Sequence, residues 1–234
     1  MLRFFKRWFP AKDEINKPKK AIRQAVSMLR REYDGIPWDV KSANPDPVEQ
    51  FAEWFEIAVD KIEHDPNAMI LGTADRDGQP STRTVLLKGY DQAGFIFYTN
   101  YESRKGGHLT DNSKASLTFY WPDLMRQIHI EGGVEIVSDE VSDTYFKTRP
   151  DGSKLSAWAS LQSEVVDSRA VLENRLHSLE KKYKGAEVPR PPNWGGFLVI
   201  PHRFEFWQGR LNRLHDRICY RKDDDRWVIE RLSP

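Results

Sequence analysis

Cysteine is almost missing from this chain of 234 residues: Cys219 is the only one. A single thiol excludes an internal disulfide framework and suits a reducing compartment. Also missing are an apolar run long enough to cross a bilayer and the uninterrupted apolar stretch of a secretory signal. The expectation is a cytoplasmic protein with no membrane partner. Nor is one sign of charge in excess. With 36 Lys and Arg against 35 Asp and Glu, the formal net charge is +1, which argues against a nucleic-acid polycation. Any anion must be held by local clusters.

Several familiar site signatures are absent too. There is no Gly-x-Gly-x-x-Gly after a strand, no phosphate-binding Walker loop, no His-Glu-x-x-His and no Gly-x-Ser-x-Gly. One Cys and six dispersed His residues offer no metal-ligand spacing, so no metal is expected. What the chain has in quantity is aromatic surface: eight Trp, eight Tyr and 12 Phe. Most of these rings suit a core, and some are free to stack on a flat ligand.

Periodicity divides the chain. Residues 1–20 are basic with scattered prolines and read as a poorly ordered leader. Residues 21–46 hold a helix over Ala21–Tyr33, with Ile22, Val26 and Leu29 at helical spacing, and a linker punctuated by Pro37 and Pro45. The main domain, residues 47–234, opens with a helix over Pro47–His64. Strands are then expected at Ala68–Ala74, Ser81–Lys88, Gly94–Thr99, Ala115–Trp121 and Met125–Val137, with Asp77-Gly78 marking a hairpin turn. Ser103 caps a short helix running to Leu109.

Helices are expected over Glu140–Thr148, stopped by Pro150, and over Ser168–Lys184, with Val171, Leu172, Leu176 and Leu179 inward. Strands at Phe197–Ile200, Arg203–Gln208, Ile218–Tyr220 and Trp227–Leu232 close the chain. So many hairpin-linked strands predict an antiparallel sheet curled into a small barrel with helical additions, an α+β or mainly β class.

Four clusters carry candidate chemistry. Arg83 and Lys88 flank Val85-Leu86-Leu87. Five residues apart, they point to opposite faces of a regular strand, so they serve different groups or sit around a bulge. Ser103-Arg104-Lys105 combines helix-start amides, a hydroxyl and two cations, which suits a phosphate and equally an ordinary capped helix. Tyr145 and Arg149, four apart, share a helix face, with Ser153 just past the Pro150 break. In an extended chain Arg213, His215 and Arg217 share one side, where three potential cations suit an anionic or electron-rich ligand, a solvated edge strand being the alternative.

Together these pieces resemble the pyridoxamine 5′-phosphate oxidase family. The resemblance runs from Leu29 to Pro234 through Arg30-Arg31-Glu32-Tyr33, Arg83-Thr84-Val85-Leu86-Leu87-Lys88 and Phe97-Tyr98-Thr99-Asn100 with Ser103-Arg104-Lys105. It continues through Arg126-Gln127, Tyr145-Phe146, Arg149-Pro150, Trp158 and Gln162-Ser163. Trp194-Gly195-Gly196-Phe197, Phe206-Trp207-Gln208-Gly209 and Arg213-Leu214-His215-Asp216-Arg217 complete it, with the final Arg231-Leu232-Ser233-Pro234. The leader before Ala21 and the Pro37-Trp38-Asp39-Val40 stretch depart from the pattern.

The resemblance implies an FMN-binding split β-barrel with peripheral helices, a homodimer with FMN at the subunit interface, and oxidation of pyridoxine or pyridoxamine 5′-phosphate by oxygen. It implies that FMN is held by Arg83, Lys88, Tyr98 and Thr99, by Arg104 and Lys105, by Gln127, Gln162 and Ser163, and by Trp207 and Arg217. The substrate phosphate falls to Lys88, Tyr145, Arg149 and Ser153. Arg213, Leu214 and His215 lie over the pyridine ring, Arg213 and His215 being nearest the reacting carbon. Arg30, Arg31, Glu32 and Tyr33 form a mobile segment that helps cover the substrate. A flavin reductase with another substrate and a non-catalytic carrier of FMN or pyridoxal phosphate are the rival readings.

Overall fold

The computed structural model describes residue 26 and residues 29–234. The expected leader and most of the expected helix over Ala21–Tyr33 lie outside the described residues. The end of that helix does not: residues 29–33 carry no helix. Leu29 is exposed, and Tyr33 leaves the helical stripe to pack its ring edge-on against Trp207 and His215.

Helix α1 spans Pro47–Lys61. Asp46 caps it by accepting from the Val48 and Glu49 amides, and Pro47 occupies the first turn, where no amide donor is needed. Phe51, Trp54 and Ala58 recur at intervals of three and four and are buried on one face. Phe51 meets Tyr90, Phe95 and Phe119 edge-to-face at 4.9–5.1 Å, and Trp54 meets Phe206 at 5.3 Å. This aromatic seam is the centre of the core.

Among the described residues the sheet has nine strands: β1 Ala68–Ala74, β2 Pro80–Leu86, β3 Gly89–Asp91, β4 Gly94–Asn100, β5 Lys114–Trp121, β6 Arg126–Ile136, β7 Trp194–Gln208, β8 Asp216–Asp223 and β9 Arg226–Arg231. The path is β2-β1-β5-β6-β7-β4-β3, with β8 paired to β7 and β9, and every pairing is antiparallel. Four further helices follow the chain: α2 Arg104–Asp111, α3 Asp139–Thr148, α4 Asp151–Ala159 and α5 Arg169–Lys182.

Several elements differ from expectation. Strands expected at Phe197–Ile200 and Arg203–Gln208 are one continuous strand, β7. Pro201 cannot donate to a ladder, and a register shift at Glu131/Gly132 absorbs it. Helix α4 begins directly after Pro150, which opens this helix as well as ending α3. The stripe Val171, Leu172, Leu176 and Leu179 of α5 is only half-covered, and no residue of that helix is fully buried.

The long strand β7 organises the site. Its first half pairs with β4, Trp194 standing opposite Asn100 and Gly196 opposite Tyr98. Its second half pairs with β8, Trp207 standing opposite Arg217. One strand therefore serves two separate corners of the molecule.

Candidate active site

The first corner is a cavity of about 610 Å³ lined by residues of β2, β4, α2, α3 and α4 and by the loop after α4. Its cations are Arg83, Lys88, Lys105 and Arg149, and among the described residues no carboxylate lines it. Arg83 and Lys88, expected on opposite strand faces, share the cavity because β2 stops at Leu86. The Leu87 amide still bonds to Asn67, but the Lys88 amide turns to the Ile96 carbonyl of β4.

Neutral groups hold these cations. Arg83 donates to the Leu71 carbonyl at 3.2 Å, to Thr73 Oγ1 at 2.7 Å and to Ser81 Oγ at 2.8 Å. The β1–β2 register, with Leu71 opposite Arg83 and Thr73 opposite Ser81, supplies those acceptors. Lys105 is buried and donates to Thr99 Oγ1 at 2.7 Å, Ser103 Oγ at 2.9 Å and Gln162 Oε1 at 3.1 Å. Burial first, and then the neighbouring Arg83, pull its pKa down to about 8. Burial and Arg104 likewise lower that of Arg83. Ser103 caps α2, as expected, and the Arg104 amide donates to Ser163 Oγ at 3.2 Å. A cationic cradle with helix-start donors and no acid suits a phosphate.

On the far side of the cavity, Tyr98 and Tyr145 stack at 3.9 Å, both nearly parallel to Trp194. Arg149 closes the C-terminus of α3 and donates to the Ser153 carbonyl at 3.0 Å. The expected trio Tyr145, Arg149 and Ser153 thus reaches the same cavity as Arg83, Lys88, Tyr98, Thr99, Lys105 and Gln162.

The second corner gathers Tyr33, Trp207, His215 and Arg217. The His215 ring lies 4.7 Å from Trp207, and its Nδ1 accepts from the Arg210 amide at 3.0 Å. Burial and the Arg213 charge lower its pKa, favouring the neutral ring that this acceptor role requires. The extended strand expected through Arg213, His215 and Arg217 is not formed. Leu211–Arg213 is a tight turn, Arg213 has φ +61°, and β8 starts only at Asp216. Arg217 also carries its own counter-charge, donating to Glu205 at 2.8 Å and to the Ser233 carbonyl at 2.7 Å. Arg217 is therefore compensated within the fold and needs no ligand to balance its charge.

Gln127 stands opposite Trp207 in the β6–β7 ladder. Arg31 donates to the Pro122 carbonyl, while Arg30, Glu32, Arg213 and Leu214 are exposed. None of Gln127, Trp207, Arg213, His215 and Arg217 lines the first cavity. Within one chain the two corners are separate. Sequence reasoning assigned no role to Thr73, Ser81, Trp194 or Glu205. Thr73, Trp194 and Glu205 act through cross-strand or long-range contacts that leave no local pattern, whereas Ser81 binds Arg83 from two positions away on the same face of β2.

Residues 55–183 match the family described as pyridoxamine 5′-phosphate oxidase. Residues 194–234 match the pyridoxine 5′-phosphate oxidase C-terminal dimerisation region. The chain is 53% identical over 210 residues to the pyridoxine/pyridoxamine 5′-phosphate oxidase of Acaryochloris marina, covering 90% of this chain and 96% of that protein.

The chain belongs to the pyridoxamine 5′-phosphate oxidase family. The oxidase of the same name from Rubrobacter xylanophilus is 52% identical over 92% of this chain and 99% of its own length. Among solved structures, PhzG from Burkholderia lata, in complex with tetrahydrophenazine-1-carboxylic acid, superposes with TM-score 0.82 at 30% identity, over 87% of this chain and all of that one. A pyridoxamine 5′-phosphate oxidase-related, FMN-binding protein of Nostoc punctiforme superposes with TM-score 0.64 over 82% of this chain and all of its own; at 16% identity it speaks for the fold alone. The curled antiparallel sheet with peripheral helices is the split-barrel fold of this oxidase family. Among the described residues, no helix is long and apolar enough to cross a membrane, and no group of acidic, His and Cys side chains could hold a metal.

Proposed function

We propose that this protein uses FMN to oxidise pyridoxine 5′-phosphate and pyridoxamine 5′-phosphate to pyridoxal 5′-phosphate. The observation that carries this reading is the cavity with four cations and, among the described residues, no carboxylate in its lining. Arg83 and Lys105 with Thr99 and Gln162, backed by Arg104 and Ser163 just outside the lining, suit the FMN phosphate. Lys88, Tyr145, Arg149 and Ser153 suit the substrate phosphate. Two flat phosphorylated molecules need two such seats side by side.

When bound, FMN supplies the acceptor for a hydride leaving the substrate C4′ carbon and passes the electrons to oxygen, giving hydrogen peroxide. The chain's own residues bind and orient. Anchoring the substrate phosphate at Arg149 and Lys88 holds C4′ in place through binding energy remote from the reacting carbon. Loss of a hydride from C4′ and of the hydroxyl proton converts pyridoxine 5′-phosphate directly to the aldehyde. From the amine it yields an imine that water hydrolyses, releasing ammonia.

A homodimer completes the site in this reading. The two corners of one chain line no common cavity, and the dimerisation region begins at Trp194 and contains Trp207, Arg213, His215 and Arg217. In the dimer, Arg213 and His215 of one protomer face the cradle of its partner and lie over the pyridine ring. His215, with Nδ1 accepting and Nε2 carrying the proton, can donate to a substrate oxygen. Gln127, Trp207 and Arg217 border the flavin, and Arg30–Tyr33 cover the substrate.

The likeness to PhzG favours a second reading, a related flavoenzyme acting on a non-phosphorylated ring acid. It accounts for the fold but gives Tyr145, Arg149 and Ser153 no phosphate to hold. The test is aerobic turnover of purified protein with FMN and pyridoxine 5′-phosphate, following pyridoxal 5′-phosphate and peroxide together. Equal amounts of both are expected. A protein that binds FMN yet makes neither would be a reductase or a carrier.

A further inference from the structure

We propose that Trp194 is a positioning residue of the substrate-phosphate seat, acting by holding the Arg149 guanidinium in place before substrate arrives. This rests on the reading of Arg149 as a ligand of that phosphate. Arg149 lies on the α3–α4 junction, with Pro150 next to it, and has no ion pair among the described residues. Its guanidinium is held by one hydrogen bond, to the Ser153 carbonyl at 3.0 Å, and by the Trp194 ring, whose centroid is 4.5 Å from the guanidinium carbon. The Phe146 ring lies farther off, at 5.7 Å. A long, flexible side chain with so few partners loses much rotational freedom on capturing an anion. An aromatic face that already carries the cation lowers that cost and leaves its charge uncompensated.

The indole is itself fixed without help from a ligand. Trp194 is 6% exposed, starts β7 opposite Asn100, and its carbonyl accepts from Arg190 at 2.7 Å. Arg190 in turn binds Asp139 at 2.6 Å and also Asp143, tying the start of β7 to α3, the helix that delivers Tyr145 and Arg149. Phe146 meets the Trp194 ring edge-on at 5.1 Å, while Tyr98 and Tyr145 lie parallel to it at 5.5 and 6.2 Å. One buried ring thus sets the geometry of a cation and a phenol that the seat requires. A carboxylate at this place would hold Arg149 equally well but would repel the phosphate.

The test is a double-mutant cycle between Trp194 and Arg149 on the full-length dimer with FMN bound. Steady-state kinetics with pyridoxine 5′-phosphate are run for W194L, W194F, R149A and both combinations, alongside equilibrium binding of pyridoxal 5′-phosphate. W194L is expected to raise KM and weaken product binding about tenfold with kcat changed less than twofold, and W194F about two- to threefold. In the R149A background, neither Trp194 substitution should have a further effect. W194F keeps an aromatic face and loses less volume than W194L, so the cycle stays decisive should W194L fail to fold. If R149A raises KM but the Trp194 effects simply multiply with it, Trp194 does not act through Arg149 and the inference falls alone. If R149A leaves KM unchanged, the phosphate reading of Arg149 falls and takes this inference with it.

Discussion

The cradle and the C-terminal corner are equally rich in arginine and lysine but treat them in opposite ways. In the cradle, Arg83, Lys105 and Arg149 are held by carbonyls, hydroxyls, an amide and an indole. At the corner, Arg203 and Arg217 converge on Glu205 at 3.2 and 2.8 Å. Arg231 bridges Asp216 at 2.8 Å and Asp39 at 2.9 Å, fastening the chain before α1 to the last strand. Neutral acceptors fix a cation in space and leave its charge for a ligand. Carboxylates neutralise the charge and turn it into a link between segments. A like number of basic residues therefore gives an anion-binding surface in one place and a structural clasp in the other.

Removing a cation should separate the two regions most sharply. Lys105→Met is expected to weaken FMN binding by about 1.5–3 kcal/mol, roughly ten- to more than a hundredfold, the worth of a hydrogen bond to a charged group. Flavin fluorescence titration reads the affinity. The melting temperature of the FMN-free protein should stay within about 2 °C, because the buried charge has no counter-ion to leave behind. A large drop in that temperature would make Lys105 a fold residue, and the contrast between the regions would collapse.

Glu205→Gln should do the reverse. Burial raises the Glu205 pKa, but Arg217 and Arg203 outweigh it and hold the carboxyl below its ordinary value. Leaving two arginines without their shared counter-charge is expected to cost about 2 kcal/mol, or roughly 4–8 °C in melting temperature. Because the folded pKa is depressed, this contribution is complete above the unfolded value of 4.5 and is lost as pH falls through the folded one. The variant's stability should accordingly show a shallower decline in acid. Arg217, which borders the flavin in the proposed dimer, keeps its charge but loses its anchor, so a smaller change in FMN affinity than Lys105→Met gives would sharpen the division.

Alkaline pH gives a smaller effect in the cradle. With its pKa lowered to about 8, Lys105 loses its proton above that pH in the free protein, while a bound phosphate dianion favours keeping it. FMN binding then takes up a proton, so affinity should fall above pH 8 by at most about tenfold per unit. Lys105→Arg, charged throughout, should flatten the profile between pH 8 and 9.5. An equally steep profile in that variant would assign the titration to another group.

The smallest effect belongs to neither region. Arg169 and Glu173 form an exposed pair one helical turn apart on α5. Arg169→Ala is expected to change stability by no more than about 0.5 kcal/mol in urea unfolding. A larger loss would show that the half-covered α5 is fastened by its surface charges.

Much of the fold is legible in local patterns. The stripe Phe51, Trp54, Phe55 and Ala58, of which only Phe55 is left half-buried, the cap at Ser103 and the strands around β1, β5 and β6 follow from periodicity and capping chemistry. Local reasoning failed where tertiary contacts overrode it. It split β7 at Pro201, which a bulge opposite Gly132 accommodates. It extended the chain through Arg213, where a left-handed turn sends Arg213 and Arg217 to different tasks. It saw no helix after Pro150, although that residue opens one.

The sequence by itself determined most of the elements, the family and the stock of cations, because these depend on residues close together in the chain or on motifs matched in order. Only the tertiary structure decided which cations remain without a carboxylate. Lys105 meets Gln162 across 57 positions and Arg83 meets Thr73 across a strand pair. Arg149 meets the ring of Trp194, and Arg217 reaches Glu205 through the β7–β8 ladder. Charge compensation is a short-range interaction between atoms, and which atoms come within range is settled by strand register and sheet order.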